Sequence, residues 1–251
     1  MPMRLIKLSR VAILGLGFAL CGAHAGAQQP PVTPLRFEVR AWPAGVVIGA
    51  GVVGTLVPEL SKRSLPHATC APCDPSHLWE IDRDILGPLR TRPSQLSTAG
   101  MVGTGLAGGL LLIRSRRGEG AEAWREDLAV FAQAVGMATA VTEWTKVLVH
   151  RPRPVRYGPD GALYDQPTDG LSFPSGHTST AFAAAAAYAS ILRRRGIANR
   201  HRTEIAALFT VAAATGAMRV AARKHFPTDV VAGAVLGAAI GWAVPAVHAI
   251  Q

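Results

Sequence analysis

Residues 228–247 read TDVVAGAVLGAAIGWAVPAV, with one charged residue, Asp229, at the start of the run. A helix rises about 1.5 Å per residue, so a stretch of this length covers the roughly 30 Å hydrocarbon core of a bilayer. Nothing in it alternates between apolar and polar as a strand would. Gly233, Gly237 and Gly241 recur every fourth residue, a spacing that lets two helix backbones approach closely. Packing of a bundle accounts for these glycines without any further role.

Working outward, similar apolar segments lie at 44–57, 97–113, 126–149, 176–192 and 204–222, separated by charged or Pro/Gly-rich breaks. Most are long enough, or nearly so, to cross a bilayer. The first is short, and Gly45, Gly49, Gly51 and Gly54 weaken it. Ala183 to Ala187 reads as packing. The predicted class is all-α, a membrane-embedded helical bundle of about five to six helices after a signal peptide. Composition agrees: 49% of the 251 residues are apolar, 17% are charged, and the mean hydropathy is +0.23. A disordered tail, an acidic chaperone and a collagen-like chain are excluded. The net charge of +10 raises nucleic acid as a partner. Only 6% of residues are aromatic and no nucleic-acid-binding motif is visible, so no nucleic-acid partner is expected. Membrane topology and phosphate binding are left to explain the charge.

Residues 1–27 fit an export signal: Arg4, Lys7 and Arg10, then apolar Val11 to Leu20, then Ala25-Gly26-Ala27 before Gln28. An uncleaved membrane helix fits the same pattern. A lipoprotein signal at Cys21 fits less well, because Leu20 stands where a small residue belongs. Removing the stretch takes away three basic and no acidic residues, leaving +7. Residues 28–96 form an N-terminal segment with the short apolar helix and a Cys-x-x-Cys loop. In an exported chain Cys70 and Cys73 read most simply as a short disulfide. The alternative is zinc held with His67 and His77. Trp79, Asp82 and Asp84 fall in a stretch that either folds over a site or packs beside the bundle.

Loop charge orients the bundle. Arg114, Arg116, Arg117 and Arg125 lie in one loop, and Arg193, Arg194, Arg195, Arg200 and Arg202 in another. The positive-inside rule makes their shared face cytoplasmic and turns the breaks at 149–175 and 223–227 outward. A cleaved signal followed by a spanning 44–57 segment would reverse these faces. The charge bias therefore predicts that 44–57 does not fully span.

Three clusters gather on the face opposite the arginines. Lys146 precedes His150-Arg151-Pro152-Arg153-Pro154, whose prolines must end a helix. Pro174-Ser175-Gly176-His177 opens the next helix, with Ser175 as expected N-cap and unpaired N–H groups that suit an anion. Arg219, His225 and Asp229 follow, the last two one helical turn apart. Alone, each has an ordinary structural reading. Together they supply three cations, two imidazoles, a carboxylate and a helix N-terminus, which suits phosphoryl transfer without a metal or other cofactor.

Lys146-x6-Arg153-Pro154, Pro174-Ser175-Gly176-His177 and Arg219-x5-His225-x3-Asp229 resemble the three-part signature of the type 2 phosphatidic acid phosphatase superfamily, which includes vanadium haloperoxidases and bacterial acid phosphatases. The signature covers 146–229, and the surrounding helix order extends the likeness to a domain at 97–248. The resemblance implies His225 as nucleophile forming a phosphohistidine, Asp229 as its orienting group and His177 as general acid. It implies phosphate binding by Lys146, Arg153, Arg219, Ser175 and Gly176. Met218 stands where the family usually has Ser, which removes one hydroxyl. Arg151, Arg156, Arg223 and Lys224 are nearby cations that attract substrate at most. The expected protein is a phosphatase of a bacterial inner membrane, its site facing the periplasm, acting on a lipid phosphate or pyrophosphate. The rivals are a broad-specificity periplasmic acid phosphatase or vanadate-dependent haloperoxidase, and a non-catalytic membrane protein binding anionic headgroups.

Overall fold

Ala183 to Ala187 are buried, as are Tyr188, Ile191 and Leu192, because their helix is surrounded by others. That helix is α5 (Gly176–Arg194), which packs on α3 (Thr91–Ser115), α4 (Ala121–Val149), α6 (Arg202–Ala221) and α7 (Pro227–His248). Helix α1 (Ala41–Ser61) lies outside, against α4, and α2 is a single turn, Glu80–Arg83. The computed structural model describes residues 36–37, 41–64, 70, 72–164 and 166–250. All belong to one unit, Thr33–Gln251. The signal reading of 1–27, with Cys21, and His67 lie outside the described residues. The fold is all-α, with one two-residue antiparallel pair in which β1 (Arg36–Phe37) joins β2 (Ala249–Ile250).

The glycines of α7 meet backbone. A Cβ on Gly233 would lie 2.6 Å from the Ser175 carbonyl oxygen, on Gly237 2.0 Å from that of Ser179, and on Gly241 2.4 Å from that of Ala183. Three successive turns of two parallel helices are thus in register, and only hydrogen fits between them. Gly237→Ala is expected to destabilise by about 1–3 kcal/mol, since rigid backbone must move. Gly49→Ala, with nothing within 4 Å of the added carbon, is the neutral control. Thermal unfolding in detergent measures both.

Helix directions follow from side-chain neighbours. Thr142 bonds Ser179 and Thr139 bonds Thr180, so α4 opposes α5. A Cβ on Gly100 would meet Thr215, while Arg219 reaches Ser97, so α3 opposes α6. Both Arg-rich loops therefore share one end of the bundle. There buried Asp127 accepts from Arg195 Nε at 2.7 Å and pairs with Arg116 Nε at 3.2 Å. Arg195 also stacks on Phe37, 5.0 Å from its ring centre. Segments 150–175 and 222–226 lie at the opposite end, as the charge pattern predicts.

Helix α1 is longer than the 44–57 run. It places Gly51 against Gly136, Gly54 against Ala140 and, just beyond its end, Lys62 against Glu143. It thus runs parallel to α4, from the Arg-rich end to the opposite one. Among the described residues three stretches, Thr91–Ser115, Ala198–Ala221 and Pro227–His248, are long and apolar enough to cross a membrane. Their outer faces carry Leu96, Leu106, Leu110, Val231, Val235 and Val247, all well exposed. Such an apolar band is rare on a protein surrounded by water.

Candidate active site

Prolines shape the first wall. Helix α4 stops at His150, whose φ of 52° is left-handed and whose N–H bonds the Lys146 carbonyl. Pro152 and Pro154 then bar continuation of α4, and Pro154 opens a short 3-10 helix, Pro154–Tyr157, at the end of the bundle. Arg153 is held there by its own N–H on Asp169 O (2.8 Å) and by Nε on Thr168 O (2.9 Å). Lys146, on the last turn of α4, donates to Glu143 Oε1 at 2.6 Å.

The second wall is the start of α5. Ser175 occupies the N-cap position, but its hydroxyl makes no cap bond. Ser175 Oγ lies 2.9 Å from Thr178 Oγ1, and its N–H donates to Asp229 O at 3.0 Å. The expected capping role is therefore corrected: the hydroxyl is occupied inside the helix, and the backbone ties α5 to α7. His177 Nε2 lies 3.1 Å from Thr98 Oγ1 on α3.

The third wall is the turn between α6 and α7. Arg219 is buried, donates from Nη1 to Ser97 Oγ at 3.3 Å, and leaves its Nε without a partner among the described residues. His225 is buried, and its Nδ1 lies 2.6 Å from the carbonyl oxygen of Ser172. A carbonyl only accepts, so Nδ1 carries the hydrogen and Nε2 keeps a lone pair. Asp229 Oδ2 is 3.7 Å from that Nδ1, beyond hydrogen-bonding range. It accepts instead from Ser172 Oγ (2.5 Å) and Phe226 N (2.8 Å), while Oδ1 accepts from Arg151 Nη1 (2.6 Å).

Arg151 is thus no idle cation. It bridges Asp229 to Asp82 Oδ2 (2.9 Å) and lies 4.1 Å over the Phe226 ring. Burial opposes its charge, but the two carboxylates outweigh that and raise its pKa. Asp82, from α2, also accepts from Thr228 N at 3.2 Å and Thr228 Oγ1 at 2.7 Å. Its stretch packs beside the site, while Trp79 stays exposed. Arg156 and Arg223 are structural too. Arg156 is buried and donates to Tyr164 O and Cys70 O, and Arg223 donates to Leu86 O. Of the four extra cations, Lys224 alone shows no side-chain hydrogen bond among the described residues. Burial lowers its pKa, and Arg219 and Arg153 add to the effect. Cys70 and Cys73 are joined to each other, so neither offers a free thiolate to zinc.

All three motifs therefore meet at one end of the bundle. Electrostatically, His177 feels Arg219, Lys146, Lys224 and Arg153, and His225 feels Arg219, Arg153 and Lys146. Burial, then those cations, push the pKa of His225 well below 6.5. The unfolded chain takes up a proton near pH 6.5 and the folded chain does so only at much lower pH. Stability from this group is thus present above 6.5 and is lost as pH falls below it. The melting temperature should drop on acidification from pH 6.5, and His225→Gln, which keeps an N–H donor, should flatten that drop. An unchanged slope would show that other groups carry the acid sensitivity.

Sequence reasoning missed Ser172, Glu143, Lys62, Ser97 and Thr98. Glu143 alone left a local signal, three residues before Lys146 on one helix face. No curated protein and no solved structure matches the chain. The PAP2 superfamily model matches residues 127–250, from the second turn of α4 to the end of the described chain. α1 to α3 fall outside that match, although α3 supplies Ser97 and Thr98. A phosphatase-type enzyme acting on phosphate substrates is what this match implies. Residues 127–250 are a PAP2 superfamily domain.

Proposed function

We propose that the protein is a membrane phosphatase that removes phosphate from lipid phosphates, by ester or pyrophosphate cleavage, through a phosphohistidine. The observation that carries this reading is the state of His225: Nδ1–H is held by the Ser172 carbonyl, and Nε2 is left to act beside Arg219 and Arg153, which pair with no carboxylate among the described residues. Nε2 attacks phosphorus, and the bond from phosphorus to the lipid oxygen breaks. His177 gives its proton to that oxygen, the incoming phosphate's negative charge having favoured a protonated imidazole. Water then attacks the phosphohistidine, His177 takes its proton, and the P–N bond breaks to release phosphate. Arg153, Arg219 and Lys146 bind the phosphate oxygens and stabilise charge that grows at the transition state. The N–H groups opening α5 at Gly176 add to them.

A lipid substrate is supported by the apolar surface next to the site. Leu96 and Val231 are exposed within a turn of Ser97 and Asp229, so acyl chains have a place to lie. The orientation has two independent supports. The arginine loops favour a cytoplasmic face at the far end. The Cys70–Cys73 bridge is tied to the near end by Cys73 N on Arg156 O at 2.9 Å, and disulfides persist in oxidising compartments. That orientation starts α1 on the cytoplasmic side, whereas a cleaved signal at 1–27 would start it on the other. The test is phosphate release by detergent-purified protein from a monophosphate lipid, a diphosphate lipid and a soluble aryl phosphate, with and without vanadate. Lipid hydrolysis blocked by vanadate is expected. Preference for the soluble ester, bromide oxidation dependent on vanadate, or no hydrolysis at all would overturn the reading.

A further inference from the structure

Against the phosphate site, motif residue Lys146 joins a charge cluster whose other two members, Glu143 and Lys62, belong to no motif. Glu143 accepts from Lys146 Nζ on Oε1 at 2.6 Å and from Lys62 Nζ on Oε2 at 2.5 Å. All three side chains are only 9% exposed. Lys62 belongs to the turn Lys62–Ser64 that follows α1. It lies 81 residues from Glu143, outside the part of the chain that matches the family. Its other partner, Glu59, is 59% exposed, so water screens that charge.

We propose that Lys62 is a positioning residue for phosphate binding: by sharing the charge of Glu143, it keeps that carboxylate from cancelling Lys146. The proposal rests on the phosphatase reading of the site. A buried carboxylate facing one ammonium makes a neutral pair, whose field is weak a few ångströms away. With two ammoniums the trio carries one net positive charge, and a unit charge in a partly buried site acts over such distances. The trio abuts the anion site directly. A Cβ on Gly176 would lie 2.7 Å from Lys146 Nζ and 3.1 Å from Glu143 Oε1. Helix α1 therefore completes the electrostatics of a site whose motifs all lie in α4 to α7.

The test compares affinity for inorganic phosphate, by calorimetric titration and as a competitive inhibitor, in the purified full chain and four variants. Lys62→Met is expected to weaken phosphate binding about tenfold, with a smaller effect on kcat than on KM. Lys62→Arg keeps the charge and should stay within about twofold. The informative variant is Lys62→Met with Glu143→Gln, which leaves Lys146 as a lone cation and should recover most of the loss. Glu143→Gln alone should bind phosphate more tightly than wild type, and it decides the matter if Lys62→Met does not fold. The idea is overturned if Lys62→Met binds phosphate normally, if the double variant is no better than the single, or if wild type binds none. A purely structural lysine gives the second of these results. Phosphate titration needs no turnover, so wild type that binds phosphate without hydrolysing lipids sinks the phosphatase reading while the variants still judge Lys62.

Discussion

His225→Ala is expected to reduce phosphate release by roughly four orders of magnitude or more, the scale on which removal of a nucleophile acts. It should also abolish acid-labile labelling of the protein by phosphate from a radiolabelled substrate. Loss of the imidazole leaves the buried Ser172 carbonyl without its 2.6 Å donor, at a cost of about 1–3 kcal/mol. His225→Gln separates the effects, because an amide restores the donor but cannot form the intermediate. If the Gln variant melts like wild type and stays inactive, the deficit is chemical. Retained labelling in either variant would remove His225 as nucleophile. His177→Ala should behave differently: an aryl phosphate, whose leaving oxygen needs little protonation, should recover much of the lost rate.

Asp229→Ala is expected to cost about 3–5 kcal/mol, because it strands Arg151, the Ser172 hydroxyl and the Phe226 N–H around a buried gap. For catalysis Asp229→Asn is the sharper probe. In a triad whose carboxylate bonds the imidazole directly, the same change loses about four orders of magnitude because the tautomer is wrong. Here a backbone carbonyl fixes the tautomer and Asp229 stands 3.7 Å off, with Arg151 offsetting its charge. The Asn variant should therefore lose only about one to two orders of magnitude. A loss as large as that of His225→Ala, with the melting temperature unchanged, would return Asp229 to the direct orienting role that the signature implies.

How much of this was legible in the sequence depends on how far apart the interacting residues lie. Apolar runs gave six helices near their observed places, because length and hydropathy act locally. The glycines of 233–241 announced a close helix contact, though not that α5 was the partner. Motif spacing brought Lys146, Arg153, His177, Arg219 and His225 to one end, since turns between helices leave few alternatives. The Ser172 carbonyl left no trace, because a backbone acceptor is present at every residue. Lys62 was equally silent, its partner Glu143 lying 81 positions away, and Asp82, singled out only within a stretch over a site or beside the bundle, gave no sign of Thr228, 146 positions on. Ser175 misled because a serine before a helix usually caps it, while a threonine one turn later competed for the hydroxyl.

The contact between α5 and α7 also bears on how tightly the chemistry can be aimed. In lipid, parting two helices exposes no apolar surface to water, so hydrophobic burial does nothing to hold them. Apart from the bonds of Ser175 N to Asp229 O and Ser190 Oγ to Trp242 O, what holds them is dispersion and weak Cα–H···O contact over three turns of bare glycine. His177 stands on one of these helices and Asp229 on the other, with His225 just before it. On the proposed mechanism the glycines act as a ruler, fixing the gap between His177 as proton donor and His225 as nucleophile. Any side chain there would widen that gap, and transfer at a distance wrong by 1 Å can lose about two orders of magnitude in rate. The plainest residues in the chain therefore set the tolerance of its reaction.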